Sequence, residues 1–196
     1  MFLRRGVFSS HISDSQSLIN ESLERTRCFS DGAIRSASGI PVFISHKHSD
    51  LPELKGLLGF LKNKCNVVPY IDSMDKGMPP KTCATTASRI KKVIEFCPKF
   101  IFLATEDALT SMWCNWEVGI ADKWKLSGNN MAIMPILDPG KKDEDYKGQE
   151  YLRLYPYIED KPNSNGVGKY LVVNYPTPSG WKQTSFKNWL NNILCD

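Results

Sequence analysis

The feature that most constrains this chain is the alternation of short, wholly apolar runs with helix-patterned segments. Ile40-Pro41-Val42-Phe43-Ile44-Ser45 opens the series as a buried-strand pattern rich in β-branched residues. Leu54, Leu57, Leu58 and Leu61 then recur at helical spacing between Leu51 and Lys64, and Val67 to Asp72 supplies a second strand. Thr82 to Phe96 reads as a helix, Phe100 to Ala104 as a third strand, Trp113 to Lys125 as a helix and Met131 to Leu137 as a fourth strand. Tyr170 to Val173 is the expected fifth strand, followed by an amphipathic helix over Ser185 to Leu194. Strands without polar alternation need cover on both faces, and strands separated by helices imply a parallel sheet with right-handed crossovers.

Residues 1–39 read as a helical extension and linker, since they are rich in Ser, Arg and other polar types, with one helical stretch suggested by Leu18, Ile19 and Leu23 and a Ser13-Asp14 helix entrance. Residues 40–137 hold the core, and 138–196 complete the same domain, with at most one short helix in the mixed stretch 138–168. A length of 196 residues suits one domain with extensions.

A formal net charge of +4, with basic pairs scattered along the chain, gives no reason to expect a nucleic-acid partner. No continuous apolar region marks a secretion signal or a membrane span, so a cytoplasmic location is expected. The six cysteines form no C-x-x-C and no dense framework, which favours free thiols.

Ligands of open parallel sheets bind outside the carboxyl ends of the strands. Three segments converge there: Ser45-His46-Lys47, the Gly/Pro-bearing loop from Asp72 to Pro80, and the helix entered through Thr105. That helix carries Trp113-Cys114-Asn115-Trp116-Glu117. Residues four apart share a helix face, so Trp113 stands beside Glu117, while Trp116, Ile120 and Trp124 form a neighbouring apolar stripe. A carboxyl group at such an edge either has its pKa raised by desolvation or holds a hydrogen-bonding task, unless it only snorkels to water. Cys114 adjoins it and is a candidate nucleophile, with no histidine nearby in sequence to activate it.

Val42 to His46, the loop Asp72 to Pro80, Phe102-Leu103-Ala104-Thr105 and the W-x-x-x-E of Trp113 to Glu117 together resemble the boxes of a TIR domain, from about Pro41 to Leu137. The resemblance implies an α/β, flavodoxin-like three-layer sandwich with a parallel sheet of about five strands in the order 2-1-3-4-5. It implies one of two activities. Some TIR domains are scaffolds that act by homotypic TIR–TIR assembly; others cleave NAD+ between nicotinamide and ribose, releasing ADP-ribose or a cyclic ADP-ribose-type signal. Glu117 matches the catalytic glutamate of the second group, which makes this chain an expected NAD+ nucleosidase or ADP-ribosyl cyclase. Phe43, Ser45, Lys47, Asp72, Met78 and Trp113 match substrate-binding positions, the loop from Asp72 to Met78 gating the pocket. NAD+ is then substrate and no cofactor is needed.

Standalone bacterial TIR proteins of this size resemble the signal-producing component of Thoeris-type anti-phage defence. That resemblance implies self-association, a phage activator and a separate effector reached through a nucleotide messenger. The family's frequent arginine near the end of the first strand is replaced here by His46-Lys47-His48, which leaves phosphate contact to Lys47.

Other chemistries have weaker patterns. His46-x-His48 with Asp50 suggests zinc, but the spacing is short and a fourth ligand is missing, so both read as solvated loop histidines and no metal is expected. There is no G-x-x-x-x-G-K-[ST], and Gly166-Val167-Gly168 lacks the dinucleotide fingerprint.

Overall fold

The computed structural model describes residues 1–14, 39–74, 83–146, 150–162 and 169–191. Among them, eight strands form one mostly parallel sheet with helices on both faces. β2 (Ile40–Ser45), β3 (Val67–Tyr70), β4 (Lys99–Ala104) and β5 (Met131–Leu137) are the apolar runs of the sequence. With β6 (Tyr157–Pro162) they run parallel in the order β3-β2-β4-β5-β6, which is 2-1-3-4-5 counted from Ile40.

Each central strand sends alternate residues into two separate cores. Val42, Ile44, Ile101, Leu103, Ala132 and Met134 pack on one side, under α1 (Leu51–Lys64) and α5 (Phe186–Asn191). Phe43, Phe100, Phe102, Met131 and Ile133 pack on the other, under α2 (Ala84–Phe96) and α4 (Met112–Lys125). Burial on both faces is why these strands lack polar alternation.

The fifth parallel strand is β6, and not Tyr170 to Val173. That run lies in β7 (Lys169–Thr177), which pairs antiparallel with β6 and with β8 (Gly180–Ser185). β6 alternates buried Ile158 and Asp160 with partly exposed Tyr157, Glu159 and Lys161, so its sequence lacks the apolar signature of a strand covered on both faces.

Part of the segment read as an extension belongs to this sheet. β1 (Leu3–Arg4) pairs parallel with β5, Leu3 opposite Ile136, and Leu3 and Phe8 are buried in the first core. Met1 O accepts from Asp160 N at 2.9 Å, so β1 also borders β6. A 3-10 helix over Ser9–Asp14 follows and lies against α1. Gly56 and Gly59 of α1 permit that approach: a Cβ on Gly56 would sit 2.8 Å from the Phe8 carbonyl oxygen, and one on Gly59 would overlap that of His11. Interior helix glycines ordinarily cost about 1 kcal/mol against alanine, so close backbone packing explains their presence. The helix expected around Leu18 and the linker to Ser38 fall outside the described residues.

Candidate active site at the carboxyl edge of the sheet

The strand order reverses at β2, which has β3 on one side and β4 on the other, and the loops leaving β2 and β4 diverge there. Two short caps shape this edge. Thr105 accepts from Ala108 N and starts α3 (Glu106–Leu109), a short helix that intervenes between β4 and the helix carrying Trp113. Ser111 then accepts from Cys114 N and starts α4, so Glu117 falls in its second turn.

Glu117 is buried, with 1% of its surface exposed. Its Oε2 accepts from Ser45 Oγ at 2.5 Å, joining α4 to the last residue of β2. Its Oε1 is also buried and has no hydrogen-bond partner among the described residues. Burial, and then repulsion from Asp72, hold the Glu117 carboxyl well above the usual carboxylate range; the Ser45 hydroxyl and the Trp113 indole N–H oppose that rise. Glu117 therefore does not snorkel to solvent.

Asp72 begins a 3-10 turn over Asp72–Met74 directly after β3. Burial raises its pKa as well, while His46, backbone N–H groups and the Trp113 indole favour its ionised form. His46 supports this turn from below: its Nε2 lies 2.9 Å from Ser73 Oγ, and its Nδ1 lies 3.3 Å from the Ile44 carbonyl and 3.9 Å from Asp72 Oδ1. A ring protonated on Nδ1 donates to Ile44 and accepts from Ser73, which fixes the turn beside Glu117.

The expected site residues thus divide into three groups. Glu117, Ser45, Asp72 and Trp113 come together. Phe43 lies two residues before Ser45 on the same sheet face and is fully buried between Tyr70 and Phe100, with ring centroids 5.3 and 5.5 Å away; it forms the floor below the cluster. Lys47 is half-buried on the loop after β2, and Met78 lies outside the described residues. Trp113 packs on Trp116 at 4.8 Å between centroids, while Trp124, at the far end of the helix, is 41% exposed beneath Lys123.

Two readings from sequence change here. His46 is buried, and only His48 is an exposed loop histidine; no metal-binding group of His, Cys, Asp or Glu occurs among the described residues. Cys114 is buried, donates to the His46 carbonyl at 3.4 Å, and has its thiol pushed up to about 11 by burial, which suits a packing role and not a nucleophile. Cys65, Cys83, Cys97 and Cys114 are all free thiols, as the spacing suggested.

A second polar set braces the edge. Asp50, fully buried, accepts from Thr105 Oγ1 at 2.6 Å and lies 3.8 Å from Arg5, which also pairs with Asp138 at 2.6 Å. Gly6 N donates to Glu53. The N-terminal segment is therefore tied to the loops after β2 and β5. A polar residue directly after an apolar strand, as at Thr105, is a readable sign of such a contact; nothing near Asp50 or Arg5 in sequence points to their partners.

The comparisons with known proteins agree with this fold. Residues 42–165 match the TIR domain family. The chain is a TIR-domain protein. It is also similar to a protein of Bacillus cereus (strain MSX-D12) named "Probable 3' cyclic ADP-D-ribose synthase ThsB'". The two are 31% identical over 157 residues, which is 76% of this chain and 74% of that protein. The family match extends past Leu137 through β6, in keeping with a TIR domain whose fifth strand lies at Tyr157. No helix among the described residues of the TIR protein is long and apolar enough to cross a membrane.

Proposed function

We propose that this TIR protein cleaves NAD+ at the nicotinamide–ribose bond and forms a cyclic ADP-ribose, with Glu117 as the catalytic carboxylate. The observation that carries the proposal is the Glu117 carboxyl group, buried at the strand-order switch point with one oxygen held by Ser45 and the other unpartnered. A buried acceptor without a donor costs free energy, and a ribose hydroxyl is a donor of the right kind to satisfy it.

The chemistry needs only one acid. When the C1′–N bond breaks, its electron pair leaves with nicotinamide, which departs neutral and needs no proton; positive charge develops on the ribose ring. Hydrolysis of ordinary glycosides, by contrast, must protonate the leaving oxygen. An ionised Glu117 stabilises the ring cation most strongly in the transition state, where that charge is largest, and the Trp113 face adds cation–π attraction. NAD+ itself brings a cationic pyridinium beside Glu117 and so favours loss of its proton on binding. A hydroxyl or base nitrogen of the same molecule then attacks C1′ and loses a proton, giving a cyclic product; water would give ADP-ribose. The nearly complete burial of Glu117 and the name of the Bacillus cereus relative both support cyclisation.

The wider reading is a role in anti-phage immunity, in which TIR–TIR assembly and a phage-derived activator switch the enzyme on and the cyclic nucleotide reaches a separate effector. The test is chromatography of NAD+ incubated with concentrated wild-type protein and with Glu117→Ala and Glu117→Gln. Nicotinamide from wild type alone supports the proposal, and the mass of the second product separates cyclisation from hydrolysis. If wild type stays inert when assembled by crowding or by phage components, yet binds other TIR domains, a non-enzymatic assembly module replaces it.

A further inference from the structure

A cavity of about 270 Å³ lies beside β5 and β6, on the far side of β4 from β2. Phe2, Tyr146, Tyr157 and Trp181 contribute aromatic walls, and Ile133 and Pro135 of β5 form an apolar floor. The rings meet edge to face, Phe2 with Tyr146 at 5.2 Å and with Tyr157 at 5.8 Å, and Tyr157 lies 5.6 Å from Trp181. Phe2 is available because Leu3 turns into the opposite core and adjacent strand residues face opposite ways.

The cavity is separate from the Glu117 cluster. Ser45, Phe102, Ile133 and Tyr157 are successive partners across β2, β4, β5 and β6, so they form one row on one face. At about 4.8 Å per strand, Ile133 stands roughly 10 Å from Ser45 and Tyr157 roughly 14 Å. Phe102, fully buried, fills the space between.

Charge distinguishes the cavity from a simple packing defect. Two ionised side chains line it. Asp143 is already matched: Oδ1 pairs with Arg4 at 2.9 Å, and Oδ2 accepts from Phe2 N at 3.0 Å. Arg153 is exposed and forms no ion pair among the described residues, so the net unmatched charge is positive. Trp181, 54% exposed, stands at the margin as an uncovered indole face. The volume falls just under the range of about 300–1,000 Å³ usual for drug-sized ligands, enough for one ring system with a charged group and too small for a dinucleotide.

We propose that this cavity is a second binding site, independent of the Glu117 cluster, for a compact planar aromatic ring bearing an anionic group, the mononucleotide class. The base lies against Trp181 and Tyr157, and Arg153 takes the phosphate at the mouth.

AMP is the probe, with adenosine as its uncharged counterpart, followed by calorimetry and by the Trp181 indole resonance. Trp181 and Arg153 are exposed, so their variants are expected to fold, which circular dichroism checks. AMP binding to wild type should weaken about tenfold or more in Trp181→Ala. Arg153→Gln should weaken AMP by roughly tenfold and leave adenosine unchanged. Glu117→Ala should bind AMP as wild type does. The proposal is overturned if AMP does not bind, if Trp181→Ala binds it undiminished, if Arg153→Gln affects AMP and adenosine alike, or if Glu117→Ala abolishes binding. None of these results depends on whether NAD+ is cleaved.

Discussion

Ser45→Ala is the perturbation that most directly tests how Glu117 is tuned. The Ser45 hydroxyl donates to Glu117 Oε2 at 2.5 Å, and both residues are buried, so no water replaces the lost donor without rearrangement. A hydrogen bond to a charged group is worth about 1.5–3 kcal/mol, and 1.36 kcal/mol corresponds to one pKa unit, so the Glu117 pKa should rise by about one to two units. The sign follows from which form is stabilised: the donor favours the carboxylate, and its loss favours the acid. If cleavage requires ionised Glu117, the acidic limb of kcat/KM against pH moves to higher pH by that amount, and activity recovers in alkali. Asp72→Asn removes the neighbouring negative charge that raises the Glu117 pKa, so its limb should move the other way. The assay is nicotinamide release measured across pH for the three proteins. A uniform loss of rate in Ser45→Ala with an unmoved limb, or the same direction of shift in both variants, would refute the electrostatic coupling.

Glu117 has a folded-state pKa above its ordinary value of 4.5, so the native state binds the extra proton and stability is lost as pH rises; Glu117→Gln should melt above wild type, with a gap that widens in a thermal scan as pH rises above that ordinary value. Gly59→Ala drives a Cβ into the His11 carbonyl and should cost about 1–3 kcal/mol in urea unfolding, whereas alanine at exposed Gly119, whose Cβ would meet nothing within 4 Å, should not destabilise α4. Cys83 is exposed, and hydrogen bonding from Thr86 lowers its thiol to about 7, while burial raises those of Cys65, Cys97 and Cys114; brief alkylation at neutral pH followed by peptide mass spectrometry should label Cys83 first among these four.

By itself the sequence determined the class of fold and where the candidate site residues fall along the chain, because both depend on local periodicity. Apolar runs such as Phe100 to Ala104 require cover on two faces, and the helical spacing from Trp113 to Glu117 places an acid beside an indole at a strand's carboxyl end. Tertiary structure alone decided what these elements meet. β6 reads as polar because only one of its two faces is fully buried, so Tyr170 to Val173, more apolar, took its place in the expected order. β1 is only two residues long and carries no periodic signal; its register with Ile136 and Leu137 comes from long-range pairing. His46 and Lys47 look equivalent in a loop, yet the strand's exit directs one inward to Ser73 and Asp72. The approach of Asp72 to Glu117, 45 positions apart by residue number, is likewise a property of packed strand ends, where burial makes a nearby charge count for far more than it would in water.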